Sequence, residues 1–397
     1  MDATAAAGQL RGPDGRRDPY PLYATLRAHG PLLRLGDQLV VTSYRHASAV
    51  LRDPRMRVVD REMLRRHLGP AHATRPAQAL LTDSVLNTNG AAHRRMRQLV
   101  SGAFTPRRAA GLHAAIEAQA SALLDAMADG GAPADVMASF AVPLPVAVIC
   151  ELLGVPESDR EWFRPVSVDF AEAVEYTLTE EAADRADRAA TELRDYFIGL
   201  VADRRKRPTD DLTSQIAAAP AGALSGAELL GNLALLLLAG HETTANLIGN
   251  GVAALFAHPE AHARLRRAPA QAPAFVEEFL RYDAPVQVTT RVPAEPMEVG
   301  GEALDQRVEV TVLIGAANRD PERFAAPDTF DPFRPDNVPL SFGAGAHFCL
   351  GAALARLEAR IAFPLLLGRF PRLAPAGEAE RRDRLVLRGF AHLPVRF

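Results

Sequence analysis

The chain has 397 residues, 48% of them hydrophobic, a formal net charge of -3 and two cysteines. That length supports one large or two ordinary domains with a sizeable core, and the near-neutral charge excludes wholesale nucleic-acid binding. Cysteines as far apart as Cys150 and Cys349 exclude a disulfide framework and fit a reducing, cytoplasmic setting.

In chain order, the first 19 residues are rich in Gly, Asp and Arg and have no apolar run after a basic start. They are not a signal peptide and are expected to be loosely ordered. "LLRLG" (32–36) and "QLVVTS" (38–43) read as a hairpin. Helical patterns follow at 91–104, 107–129 and 179–207, the last amphipathic and charged. The run 225–258 starts at Ser225 with Glu228 three residues on, a capping box, and is apolar all round in its middle, so it is expected to cross the core. Its longest apolar stretch, 233–240, is too short to span a bilayer. A proline opens a shorter helix over 273–283, and "EVTVLIGA" (309–316) reads as a strand. The chain ends in two β-like runs around Gly389. There is no repeat and no low-complexity linker, which predicts a single, mainly α domain with small β-sheets over 1–397.

Three constellations carry chemistry. Cys150, in an apolar run, reads as a core cysteine. Cys349 sits in "FGAGAHFCLG", where Gly343, Gly345 and Gly351 let the backbone turn closely beneath something flat and bulky. A helix after Gly351 turns its first amides toward the sulfur and favours a thiolate. A single cysteine without a His pair does not suit tetrahedral zinc and does suit an axial haem ligand. A nucleophilic Cys349 with His347 as base is the competing reading. "AGHETT" (239–244) places an acid and two hydroxyls in the apolar helix, as either a satisfied kink or a proton relay. In "EEFLR", Glu278 and Arg281 lie one turn apart, with Arg334 of "FDPFRP" as a third member. Two further matches fail: the glycines of "GAGAHFCLG" are misspaced for a dinucleotide loop, and Glu260 of "HPEAH" (258–262) is misplaced for a zinc-protease helix.

Phe342, Gly345, Cys349 and Gly351 resemble the haem-binding signature of cytochrome P-450 enzymes. "AGHETT" resembles their oxygen-activating segment, Glu278 and Arg281 their Glu-x-x-Arg pair, and "ANRDPERFAAPDTFDPFRP" their meander. The likeness runs from about Tyr20 to Phe397 with the motifs in order. It implies a cytochrome P-450 fold with a long central helix over haem b, with Cys349 as the axial thiolate to iron. It assigns proton delivery to Glu242 and Thr243, and room for dioxygen to Ala239 and Gly240. His93, Arg97, Arg291 and His347 are assigned to the haem propionates, with Phe342 and Gly343 in the cofactor loop. Glu278, Arg281 and Arg334 become a structural network. Two local departures, "NTNGAAH" (87–93) and Pro339 before the signature, remove no group the reaction needs.

The resemblance implies a monooxygenase fed by ferredoxin and ferredoxin reductase, with no nucleic-acid or membrane partner, acting as a monomer. Its substrate pocket is assigned to Asn87 and Asn89; to Asn232, Leu235 and Leu236; to Val286, Gln287 and Thr289; and to Phe390. With apolar walls, amide groups and no acid placed to hold a cation, that pocket suits a mid-sized, neutral, hydrophobic natural product of secondary metabolism. Two alternatives are an oxidase performing aryl or C–C coupling or desaturation, and a non-catalytic haem sensor. Arg94 and Arg95 are expected to be solvated or to meet an acidic redox partner.

Overall fold

The computed structural model describes residues 1–65, 74–175, 179–220 and 222–397. The chain forms two compact units, one of Met1–Arg57, Ala115–Ala141 and Thr243–Phe397, the other of Val58–Ala114 and Val142–Glu242. One of the boundaries falls inside the continuous helix Gly226–Ala257. A chain divided inside a helix shows no linker composition, which is why the sequence reads as undivided.

In the first unit the expected hairpin forms: Leu32–Leu35 runs antiparallel to Gln38–Val41, turning at Gly36 with φ of +60°. Gln38–Val41 then pairs in parallel with Glu309–Leu313, which lies antiparallel to Val288–Pro293, with Met56–Arg57 at the edge. Side chains alternate faces along a strand. Leu39, Val41, Val310 and Val312 enter one apolar cluster, while Val40, Val288 and Leu313 enter another with Ala6, Leu10, Leu22, Tyr23 and Leu26. The sheet is therefore buried on both faces.

That second cluster corrects the expectation for the N-terminus. Residues Ala3–Leu10 and Pro13–Arg17 are helical, and Ala6 and Leu10 are buried. Asp2 caps the first helix, accepting from the Ala5 amide at 2.7 Å. Arg16 pairs with Asp383, and Arg388 donates to the carbonyls of Arg16 and Arg17, both at 3.0 Å. Three more boundaries shift. The strand over 309–316 stops at Leu313 and becomes the short helix Ile314–Ala317, where a Cβ on Gly315 would stand 2.0 Å from Gln287 Oε1. The helix over 107–129 breaks at Leu112 into Pro106–Gly111 and His113–Gly130. Of the two C-terminal runs, strands form only at Phe390–His392 and Pro394–Arg396; the first run makes one isolated bridge, Val286 to Leu387.

The second unit is helical. Thr179 caps Glu180–Lys206, accepting from the Ala182 amide at 3.2 Å, and three basic residues close its last turn. The capping box opens Gly226–Ala257 as expected: the Ser225 amide donates to Glu228 at 2.7 Å, and the Glu228 amide donates to Ser225 Oγ at 3.1 Å. Gly231 lets this helix meet Leu80, whose carbonyl would lie 2.7 Å from an added Cβ.

A buried polar cluster ties the first unit together. Asp283 accepts from Tyr20 Oη and Arg388 Nε, each at 2.7 Å, and from Arg381 Nη2 at 2.8 Å. Although burial opposes ionisation, Arg388 and Arg381 hold the Asp283 carboxyl far below the usual carboxylate range. A folded-state pKa below the unfolded one gives stability that is present above the unfolded value, about 3.9, and lost as pH falls. Asp283→Asn is expected to cost about 3 kcal/mol, because two buried guanidinium groups lose their counter-charge. Urea titrations from neutral to acid pH should show this loss, and a flatter acid limb in the variant than in the parent.

Candidate active site

Cys349 stands at the end of a tight turn in the first unit. Its amide donates to the Phe342 carbonyl at 2.9 Å, closing the loop; Gly343 N donates back to Leu340 O at 2.7 Å where the loop starts, and Phe348 N to Gly345 O at 3.1 Å inside it. Gly343 and Gly345 take φ of +68° and +70°, the left-handed region that glycine enters without a Cβ penalty. Gly345 is required twice over, since an added Cβ would lie 2.3 Å from the Leu51 carbonyl. His347 ends the 3-10 turn Gly345–His347. Beyond Gly351 the 18-residue helix Ala352–Arg369 begins, so Cys349 lies just ahead of the positive end of a long helix. Among the described residues no cluster of three or more His, Cys, Asp or Glu could hold a metal ion by itself. Cys150 is fully buried, and burial pushes its thiol up to about 12, which makes it an inert core residue as expected.

Behind the turn lies the Glu-x-x-Arg network. Glu278 and Arg281 are wholly inaccessible to solvent. Arg281 Nε and Nη2 donate to the two Glu278 oxygens, each at 2.7 Å, and its other hydrogen bonds reach the carbonyls of Asn318, Pro327 and Thr329 at 3.0, 2.7 and 3.1 Å. Glu278 also accepts from the Asp331 amide at 2.8 Å and Asn337 Nδ2 at 3.0 Å. Arg334 Nε lies 3.4 Å from it, and Arg334 donates to the carbonyls of Ala325, Ala326 and Thr329. Asn318 carries the restraint onward: its Oδ1 accepts from Leu340 N at 2.7 Å and its Nδ2 donates to Ser341 Oγ at 2.8 Å, at the start of the cysteine turn.

In the second unit, His93 and Arg97 lie four residues apart on the helix Gly90–Ser101. His93 is buried, and burial, then the charges of Arg97 and Arg94, lower its pKa. Arg95 departs from expectation. Half-exposed, it is also held in an ion pair with Glu228 at 2.5 Å and donates to the Ala223 carbonyl, so it braces the start of the long helix. On that helix Leu235, Leu236 and Glu242 are buried and Thr243 is half-buried. Gly240 packs against the helix Pro143–Leu153, where an added Cβ would meet Ile149 Cδ1 at 2.7 Å.

Most polar residues expected in the pocket turn out to hold backbone. Asn87 Nδ2 donates to the Val59 carbonyl at 2.8 Å. Asn89 brackets Val58, accepting from its amide and donating to its carbonyl, both at 3.0 Å. Asn232 accepts from Val85 N at 3.1 Å and donates to Glu228 O at 2.7 Å. In the first unit Gln287 is buried, with Nε2 donating to Ala284 O at 2.8 Å and to Tyr20 Oη at 3.3 Å. Thr289 Oγ1 accepts from Arg291 Nη1 at 3.1 Å, and that nitrogen also donates to the Thr290 carbonyl at 2.8 Å. Val286 is partly buried, and Phe390 is buried 3.7 Å from where a Cβ on Gly249 would stand. Sequence reasoning missed the Glu277–Arg356 pair at 2.6 Å, for which two ordinary surface-type residues gave no signal.

The family model described as Cytochrome P450 matches residues 135–395. The chain is 40% identical to cytochrome P450 monooxygenase PikC of Streptomyces venezuelae, over 97% of this chain and 92% of that protein. It is 39% identical to 6-deoxyerythronolide B hydroxylase of Saccharopolyspora erythraea, over 96% of each. The crystal structure of Mycobacterium smegmatis CYP164A2 with econazole bound matches with a TM-score of 0.91 and 38% identity, covering 99% of this chain and all of that one.

Arg281→Lys keeps a charge but cannot serve the carboxylate and three carbonyls together. It is expected to destabilise the protein by about 3 kcal/mol, read as a lowered urea midpoint.

Proposed function

The chain belongs to the cytochrome P450 family, oxidoreductases that carry haem b on a cysteine thiolate, and we propose that Cys349 supplies that thiolate in a monooxygenase of secondary metabolism. The observation that carries this reading is the cysteine turn. Its left-handed glycines, its Cys349-to-Phe342 hydrogen bond and the helix behind it present one sulfur on a rigid backbone. The donor set fits the cofactor, since haem brings four iron ligands of its own and needs one sulfur from the chain, where zinc would need a cluster.

His93, Arg97, Arg291 and His347 would hold the propionates. Beyond burial, the charges of Arg97 and Arg94 disfavour a proton on His93, and the same positive field favours an anion beside it. Haem bound through a thiolate supplies reductive activation of dioxygen for attack on C–H or C=C bonds. Glu242 and Thr243 move protons during that activation, the carboxyl as the exchangeable acid and the hydroxyl as a donor held in place by the helix. Such a pair supports an enzyme over a haem sensor, which has no protons to deliver. Ala239 and Gly240 keep the helix free of bulk at this point, and Gly240 also admits Ile149. By likeness to the family, Leu235 and Leu236, and separately Val286 and Phe390, are the apolar residues assigned to the substrate. The substrate is a mid-sized hydrophobic natural product, hydroxylated or epoxidised, and the names of the relatives favour oxygen insertion over coupling. Electrons come from a ferredoxin and its reductase, and the enzyme works as a cytoplasmic monomer. Among the described residues no helix is long and apolar enough to cross a membrane.

A carbon monoxide difference spectrum of the reduced holoprotein tests the ligand: the thiolate-type Soret band should appear in the parent and vanish in Cys349→Ser. Thr243→Ala and Glu242→Gln should each lower product formation by about a hundredfold, with electrons diverted to peroxide. Unchanged coupling of electron consumption to product in both variants would remove the relay.

A further inference from the structure

Arg356 has no part in the assignments above, yet it touches the cysteine turn. It lies on the helix Ala352–Arg369, and its Nε and Nη2 donate to the two oxygens of Glu277 at 2.6 and 3.0 Å. The same guanidinium sits 4.4 Å from the centroid of the Phe342 ring. Phe342 is the residue whose carbonyl accepts the Cys349 amide at 2.9 Å. A guanidinium can pair with a carboxylate in its plane while its face lies on an aromatic ring, and Arg356 meets both partners. One turn further on, Arg360 reaches the same carboxylate at 3.6 Å but lies over no aromatic ring among the described residues, and so provides an internal control. Glu277 and Glu278 are neighbours on one helix with separate tasks. Glu278 anchors the meander through Arg281, and Glu277 anchors Arg356.

We propose that Arg356 is a positioning residue for the thiolate: braced by Glu277, it pins the Phe342 ring, and with it the carbonyl that ties down the Cys349 amide. The inference rests on Cys349 as the ligand. Loss of the ring contact should loosen the carbonyl that holds the Cys349 amide and let the sulfur leave its ligating orientation. Leucine at position 356 would fill the space without attraction to the ring. Lysine would keep the charge and lose the planar, two-point geometry.

The test follows the reduced, carbon monoxide-bound holoprotein in mild urea and times the conversion of the thiolate-type Soret band to the thiol-type band. Arg356→Leu should convert about fivefold faster than the parent, on the scale of one cation–π contact. Arg356→Lys should fall between them, Glu277→Gln should accelerate conversion in the same direction, and Arg360→Ala should match the parent. Phe342→Leu should also convert fast, and adding Arg356→Leu to it should change nothing more, since both remove one contact. Conversion of Arg356→Leu at the parent rate, or effects that multiply in the double variant, would overturn the proposal. If Arg356→Leu does not take up haem, Glu277→Gln carries the comparison with the same two outcomes. A parent lacking any thiolate-type band would instead remove the ligand assignment, and the role of Arg356 with it.

Discussion

A guanidinium group closed off from water has to place its N–H groups on protein acceptors, and Arg281 does so, on one carboxylate and three carbonyls. Those partners fix where the chain after residue 317 can go. The carbonyls belong to Asn318, Pro327 and Thr329, so a stretch rich in Pro and Asp, with little regular structure of its own, is gathered at three points by one helical side chain, with Glu278 and Arg334 holding it at others. Asn318 then passes the restraint to Leu340 and Ser341, where the cysteine turn starts. The geometry of the cysteine turn thus depends on a residue outside it. Breaking such a network is expensive because each freed group stays buried without a partner.

The same logic appears at Asp283, with a different outcome for sequence reading. Glu278 and Arg281 are one turn apart, and their pairing is visible as a spacing. Tyr20, Asp283 and the pair Arg381 and Arg388 come from three distant stretches of the chain, and only the fold brings them together. Gly, Asp and Arg content alone therefore makes the N-terminal segment look loose. Its order comes from the apolar cluster against the sheet and from carbonyls that satisfy Arg388, neither of which composition reveals.

Residues whose task is set by local geometry were legible: the capping box at Ser225 and Glu228, the hairpin at Gly36, and the glycine turn before Cys349. Residues whose task depends on side-chain direction were not. Asn87, Asn89, Asn232 and Gln287 are polar groups in the regions assigned to the pocket, but their amides are engaged by nearby backbone or by Tyr20. A loop with few regular hydrogen bonds needs such side chains to satisfy its own amides and carbonyls. Gly240 carries a similar lesson, since a Cβ there would meet Ile149 and packing alone already calls for glycine.

The central claim is that one sulfur, that of Cys349, binds the haem iron. The chain has only one other cysteine, Cys150, buried and held as a thiol, so a Cys150→Ser variant isolates the ligand. Resonance Raman spectra of that ferric holoprotein, grown with and without sulfur-34 cysteine, read the iron–sulfur stretch directly. The account predicts an isotope-sensitive band in Cys150→Ser, unchanged from the parent and absent from Cys349→Ser. A band that survives in Cys349→Ser, or none in the parent, would contradict it.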